Sequence, residues 1–409
     1  MRVVLTALGT VGDVGPMLQL ALALKAQGDS AVVLLNPFFE AKARGLGLDA
    51  RPVGPSWNPE AFAADPRLSD PEHLWRQVFA PRMRADFETV RSVVAEAPTA
   101  GVVNHVWCFG GALAAEASGL PWAMVGLAPV TWLSARDPSQ LTAARVPRWL
   151  LAPATRGLIR PATKRIYEPA LRDLARELGL APARDRFWGA QRGAALNLAL
   201  WSPQFRGAVE DDPPRASIVG FPGAPEPAPL PPGTEEFLQA GEPPVVMGMG
   251  SVFPAASARL YRLVGEICAE RGLRALLVGG SPEVVADLAP GVSAVGPTPY
   301  GAVFPRASLV IHHGGIGSTA EALRSGKPTL VISFGNDQHD NGWRIERLGA
   351  GLAFSRAHAS RRRIARGIDR CLASAEMAGA AARLRGRILA EEPGEVVAAR
   401  QVRRAFGGG

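Results

Sequence analysis

The chain has 409 residues, too many for one compact core and enough for two domains. A composition of 47% hydrophobic and 20% charged residues argues against disorder, and no apolar run approaches the roughly 18 residues that a membrane span needs. The formal charge of +8 is carried almost wholly by arginine, because Lys25, Lys42, Lys164 and Lys327 are the only lysines; its even spread argues against a nucleic-acid footprint.

The N-terminal "MRVVLTALGTVGD" is too short in its apolar run for a signal peptide. "RVVLTAL" reads as a strand, "GTVGDVGP" as a glycine turn, "MLQLALALKAQG" as an apolar-striped helix and "SAVVLLN" as the next strand, which together make a βαβ unit. "GVVNHVW", "GALAAEASG" and "PWAMVGLAP" repeat the alternation. Residues Thr131 to Arg192, rich in Trp, Pro and Arg, read as a largely helical insertion over one end of the sheet. "AALNLALWS" and "RASIVGFP" are two further strands. The proline-rich 221–233 reads as an extended linker between a first domain, 1–220, and a second, 234–409.

After the linker the alternation restarts, with "PPVVMGMGS", the helix "ARLYRLVGEICAERG", and the strands "LRALLVGG" and "SAVGPTP". "ASLVIHH" (strand), "GGIGSTAEALRSG" (helix) and "PTLVISF" (strand) follow, and 361–406 is helical. Arg361 to Arg363 reads as a solvated helix face. Cys108, Cys268 and Cys371 are too widely spaced for a metal motif or a disulfide framework and fit a reducing cytoplasm. The expected fold class is therefore α/β, with two doubly wound domains whose strand ends flank a cleft. A soluble cytoplasmic protein, monomer or homodimer, is expected.

Three of the six histidines fall in "VIHHGGIGSTAEALRSGKPTLVISFGNDQHDN", two of them directly before a pair of glycines. Glycines between a strand and a helix let backbone N–H groups approach an anion, and the helix dipole favours negative charge there. Ser318 and Thr319 add hydroxyls, His313 adds a ring donor, and "GMGS" (Gly248 to Ser251) is a second such turn. The pattern reads as a diphosphate cradle that needs no metal. His312, one residue earlier, is expected on the opposite face of the strand. Asp337 and Gln338 follow the next strand and suit sugar hydroxyls.

"HHGGIGSTAEALRSGKPTLVISFGNDQHDNGWRIERLGAG" resembles the donor-binding signature of family 1 nucleotide-sugar glycosyltransferases, and "GTVGDVGPMLQLALALKAQG" resembles the first turn and helix of their bacterial and sterol-glucosylating branches. The resemblance implies a GT-B fold of two Rossmann-like domains, the first for the acceptor and the second for a UDP- or TDP-sugar. It implies an inverting transfer without metal or cofactor. By position it implies that His313 and the turn from Gly315 through Gly317 and Ser318 to Thr319 hold the diphosphate, with Ser251 touching it from the other loop. It implies Glu321 on the ribose and Asp337 and Gln338 on the sugar. Where plant members stack a tryptophan on the base, this chain has Val295, which leaves backbone contacts for that role.

An inverting transferase needs a base for the acceptor hydroxyl. Plant members of the family use a histidine in the first glycine turn, supported by an aspartate on a later strand. This chain carries Asp13 at the first position and His105 at the second, so the residue types are exchanged. Asp13 is the expected base and His105 its partner; capping of the following helix by Asp13 and a core role for His105 are the alternatives. Thr10 borders the turn and is a weaker candidate for the diphosphate. Trp57, Trp75, Trp132 and Trp149 suit a hydrophobic small-molecule acceptor of polyketide, terpenoid, sterol or flavonoid type, some of them as packing alone.

Three competing readings remain. In a nicotinamide dehydrogenase the first glycines would be spaced G-x-G-x-x-G, yet Gly9, Gly12 and Gly15 are three apart and the second strand ends in Asn36, not an acid. A nucleotide-sugar epimerase of the same fold would not need the Trp-rich insertion. A non-catalytic helper would be expected to lose Asp13 or the "DQ" pair, and both are present.

Overall fold

The computed structural model describes every residue except 59–66, 68–69, 225–228, 251–253, 280–287 and 408–409. The chain divides into two compact units, the first made of Met1–Ser139, Val146–Pro222 and Glu392–Gly409, the second of Gln140–Arg145 and Gly223–Glu391. Both are doubly wound α/β units, as the alternation predicts.

The first unit is built on seven parallel strands: β1 (Arg2–Thr6), β2 (Ser30–Leu35), β3 (Asp49–Pro52), β4 (Gly101–His105), β5 (Trp122–Gly126), β6 (Leu196–Ala199) and β7 (Ala216–Ile218). Their order across the sheet is β3-β2-β1-β4-β5-β6-β7. The strands are near-continuous apolar runs because both faces are covered, as parallel sheets require. The reversal of winding falls between β1 and β4, whose registers pair Thr6 with Asn104. The short β3 lacked a period signal in the sequence.

The predicted glycine turn after β1 is for the most part helix. The helix runs Val11–Ala26, starting six residues before Met17 and containing Pro16. Thr10 takes an extended conformation as N-cap, and Asp13 at the third helical position reaches back to it. This reciprocal cap starts the helix early despite its glycines.

The second unit has six parallel strands: β8 (Val245–Gly248), β9 (Ala275–Val278), β10 (Val292–Val295), β11 (Leu309–His312), β12 (Thr329–Ser333) and β13 (Gly351–Ser355). Their order is β10-β9-β8-β11-β12-β13, so the winding again reverses, between β8 and β11. Gly248 and His312 face each other in register at that point. Gln140–Arg145 also folds into this unit. The Gln140 N–H donates to Asp340 Oδ1 at 2.9 Å, Arg145 donates to the Ala353 carbonyl at 3.0 Å, and Asp340 forms a fully buried pair with Arg344 at 2.7 Å.

One expected boundary is corrected. The second domain does not run to 409, because Glu392–Gly409 belongs to the first unit. The helix Gly394–Gly407 buries Ala398, Ala399 and Val402 and packs on the Val11–Ala26 helix and on β6. Its small residues allow close approach. Phe406 lies over Gly101, and Arg403 reaches Asp29 at 3.3 Å. The helical pattern of this segment was legible, but not which sheet it covers. No described helix is long and apolar enough to cross a membrane.

A Cβ on Gly394 would sit 2.2 Å from the Gly220 carbonyl oxygen, a backbone atom with no room to move. Gly394→Val is therefore expected to lower the stability of the first unit by about 2 kcal/mol, read as a lower urea midpoint with an unchanged slope.

Candidate active site

The two reversal points hold Asp13, His105 and His313. Crevices form where neighbouring parallel strands send their chains to opposite sides, and the ends of β1 and β4 make one in the first unit. Asp13 stands on the first turn after β1, with its side chain about one-third exposed, and His105 is the last residue of β4, almost wholly buried. His105 Nε2 lies 3.9 Å from Asp13 Oδ1, so the structure brings together the pair expected from sequence. That distance is beyond a hydrogen bond.

Asp13 caps the helix and at the same time faces His105. Its Oδ2 accepts from the Thr10 backbone N–H at 2.8 Å and from the Thr10 hydroxyl at 3.0 Å. Oδ2 is thus committed to the cap, and Oδ1 faces His105. Thr10, the weaker candidate for the diphosphate, directs its hydroxyl at Asp13 here. Gly9 makes room for this arrangement. Its φ is +128°, and a Cβ there would lie 2.3 Å from Asp13 Oδ2. His105 is not a satisfied core histidine, since its buried Nδ1 has no hydrogen-bond partner. Burial pushes its pKa down, against an opposing pull from Asp13, so the ring is neutral near pH 7.

In the second unit the reversal point carries both glycine turns. His313, directly after β11, is enclosed by them: a Cβ on Gly250 would lie 2.7 Å from His313 Cε1, and one on Gly315 would lie 2.4 Å from its Nε2. Burial pushes the His313 pKa down to about 4, and its Nδ1 has no partner. His312 does face elsewhere. Its Nδ1 accepts from the Gly314 N–H at 2.9 Å and so shapes the turn, and burial pushes its pKa down to about 3.

The helix Ile316–Ser325 opens with Gly315 as N-cap. A side chain on Gly317 would meet nothing within 4 Å, so the space before the first turn is open. Ser318 lies on that turn. The Thr319 hydroxyl instead leans on the Gly314 carbonyl at 3.4 Å and is fully buried. Glu321 is held by Arg324 at 2.7 Å, with its other oxygen near Gly301.

Asp337 is the N-cap of the helix Gln338–Arg347, and its Oδ2 accepts from Asn341 Nδ2 at 2.8 Å. Gln338 accepts from the Phe334 N–H at 2.8 Å through its carbonyl, which leaves its amide N–H groups as what it offers a ligand. Val295 ends β10; its carbonyl accepts from the Gly279 N–H, and its side chain joins an apolar cluster. Ser251 lies outside the described residues. Among the described residues no group of three or more His, Cys, Asp or Glu side chains is arranged to hold a metal.

Sequence reasoning missed three residues that build this site. Asn341 donates to both the Gly314 carbonyl, at 2.9 Å, and Asp337, tying the "HHGG" turn to the "DQ" pair. The Tyr300 hydroxyl accepts from the Gly250 N–H at 2.8 Å, and the Tyr261 hydroxyl accepts from the Met249 N–H at 2.9 Å. Burial pushes the Tyr300 pKa up to about 12, so it stays a neutral hydroxyl. The available signal was scarcity, because the chain has only three tyrosines and two of them hold one turn. The tryptophans divide differently from expectation. Trp75 and Trp132 are core residues, the latter T-shaped on Trp201 with ring centroids 4.7 Å apart; Trp57 is partly buried against the first unit's core and Trp149 is exposed.

Comparison with known proteins agrees with the fold. Residues 271–402 match the family model described as erythromycin biosynthesis protein CIII-like, C-terminal domain. The chain is 26% identical over 380 residues to sterol 3-beta-glucosyltransferase UGT80B1 of Arabidopsis thaliana, which covers 86% of this chain but 60% of that protein, so it spans less than two-thirds of that relative. It is 27% identical over 364 residues to glycosyltransferase GtfE of Amycolatopsis orientalis, covering 86% of each. The solved structure of the glycosyltransferase VinC in complex with dTDP superposes with a TM-score of 0.72 at 21% identity, over 100% of both chains. The fold is that of GT-B glycosyltransferases.

The two buried histidines make stability depend on pH. Their folded pKa values lie below the unfolded value of 6.5, so the unfolded chain takes up protons first as pH falls. The stability they contribute is present above pH 6.5 and is lost as pH falls toward about 4 and about 3. The second unit is expected to unfold at lower urea at about pH 5 than at about pH 7.5, with a smaller difference in His313→Gln. An undiminished difference in that variant contradicts the assignment.

Proposed function

We propose that this chain, a homologue of glycosyltransferases and one of them by fold, transfers a sugar from a UDP- or TDP-sugar to a hydroxyl of a hydrophobic small molecule, with inversion and without a metal. The observation that carries the reading is the Asp13 carboxylate at the β1/β4 reversal, with one oxygen fixed by Thr10 and the other turned to the buried His105. The names of the relatives, a sterol 3-beta-glucosyltransferase among them, and the dTDP in the VinC complex support the same substrate classes.

In this reading Asp13 Oδ1 takes the proton of the acceptor hydroxyl as its oxygen attacks the anomeric carbon. The bond from that carbon to the diphosphate oxygen breaks, and its electron pair leaves on the nucleoside diphosphate. Attack from the side opposite the leaving group inverts the centre. The pre-fixed Oδ2 holds the carboxylate in one orientation, which is worth more than basicity alone. The neutral His105 ring lies beside Oδ1 and puts no competing cation next to the base.

The second unit takes the donor. His313, kept neutral by burial, retains one ring N–H for a phosphate oxygen. The open N-terminus of the Ile316–Ser325 helix, with Gly315, Gly317 and Ser318, faces the diphosphate. Thr319 shapes the turn from behind. Glu321 accepts from ribose hydroxyls, and Asp337 accepts and Gln338 donates to sugar hydroxyls. The backbone around Val295 borders the base. The enzyme works in the cytoplasm as a monomer or homodimer.

Asp13→Asn is expected to lower turnover at least about 100-fold while the shift in melting temperature caused by a UDP- or TDP-sugar is retained. Wild-type turnover in that variant overturns the base. Full rate in His105→Ala removes His105 from the mechanism and leaves Asp13 standing. Incubation with donor alone is expected to release nucleoside diphosphate slowly; an isomerised sugar would instead identify an epimerase.

A further inference from the structure

The insertion after β5 leaves an apolar face uncovered. Its helix Arg148–Ala154 continues through a π-helical turn, Thr155–Ile159, into the helix Arg160–Glu177. One side is anchored, with Leu151, Thr155, Tyr167, Leu171 and Leu174 buried. The other carries Trp149, exposed to 73%, with Leu158 at 67% and Leu150 at 43%. The wide π turn places Leu158 about two turns beyond Leu150, so that both lie to one side. Trp is highly buried on average in folded proteins, so a Trp this exposed stands out.

Charge accompanies the apolar group. Arg156 and Arg165 are exposed on the same continuous helix, and among the described residues neither forms an ion pair. Farther along lies a shallow hollow of about 540 Å³, lined by Lys164, Arg165, Arg172 and Arg176 together with Glu168 and Asp173. Glu168 is already occupied by Arg172 and by the backbone N–H groups of Arg186 and Phe187, and Asp173 pairs with Arg176. With Lys164 3.4 Å from Asp185 as well, these pairs cancel three of the hollow's four cations, and its net positive charge rests on Arg165.

We propose that this helix face docks on the surface of an anionic lipid bilayer. Trp149, Leu150 and Leu158 enter the boundary between headgroups and acyl chains, while Arg156, Arg165 and the basic hollow meet lipid phosphates. Three features favour lipid over a protein partner. The apolar side chains project from a convex helix and do not line a groove. They present roughly 150–250 Å² each at most, short of the roughly 800 Å² per partner of a stable protein interface. Their basic surround matches the potential of an anionic leaflet. The inference does not depend on the catalytic reading above.

The test is co-sedimentation of the full chain with vesicles of phosphatidylcholine alone or with about one-third phosphatidylglycerol, in about 0.1 M salt. The wild type is expected to sediment with the anionic vesicles and hardly at all with the neutral ones. Trp149→Ser/Leu158→Ser and Arg156→Glu/Arg165→Glu are each expected to weaken that binding at least about tenfold, with circular dichroism and the donor-induced thermal shift unchanged. No binding to anionic vesicles overturns the proposal. So does equal binding by wild type and Trp149→Ser/Leu158→Ser, which would mark attraction by overall basic charge. A wild-type dimer in light scattering that Trp149→Ser/Leu158→Ser dissolves also overturns it, in favour of a second copy of the chain.

Discussion

A parallel strand can join its neighbour only if the chain crosses back over a face of the sheet, and that crossover is right-handed. A sheet wound outward in both directions therefore has one place where adjacent strands send their chains to opposite faces. Helices cannot fill the crevice left there. In this molecule the two such places are β1/β4 and β8/β11. Asp13 and His105 flank the first, and Gly250, His313 and Gly315 flank the second. Residues about 90 positions apart become neighbours because winding leaves them no alternative.

Burial then decides what these groups can do. His105, His312 and His313 are all held neutral by loss of solvation, yet they end in different chemistry. Each keeps one buried ring nitrogen with no hydrogen-bond partner, but His312 has its other nitrogen, Nδ1, engaged by the Gly314 N–H and so serves the turn. Unpartnered polar atoms in a packed interior are costly. Their concentration beside the two reversals fits sites arranged around a ligand.

The sequence conveyed the alternation, and with it the two sheets, because apolar strands and glycine-ended helices are local signals. The spacing of "HHGGIGST" and "DQHDN" located the turns after β11 and β12, and the pairing of Asp13 with His105 was readable by position. The purpose of the glycines was only half legible. Read as room for a ligand, Gly9, Gly248, Gly250 and Gly315 also leave room for the protein's own side chains, namely Asp13, Tyr300 and His313. That depends on tertiary approach, which no single sequence reports. The early start of the first helix was missed because three glycines and a proline outweighed a capping box on propensity alone. The four tryptophans gave a hydrophobic signal that cannot tell a core ring such as Trp132 from an exposed one such as Trp149.

The return of Glu392–Gly409 to the first unit has a consequence for the order of assembly. A ribosome makes the strands of the first sheet early, but the helix that covers its Val11–Ala26 face is made only after the whole of 223–391. The second unit, nearly contiguous in the chain, can close on itself before the first is complete. Folding of this chain then runs against the usual N-terminal-first sequence of multidomain proteins. During synthesis the apolar surface in need of protection is the earlier half, at the residues that later meet Ala398, Ala399 and Val402.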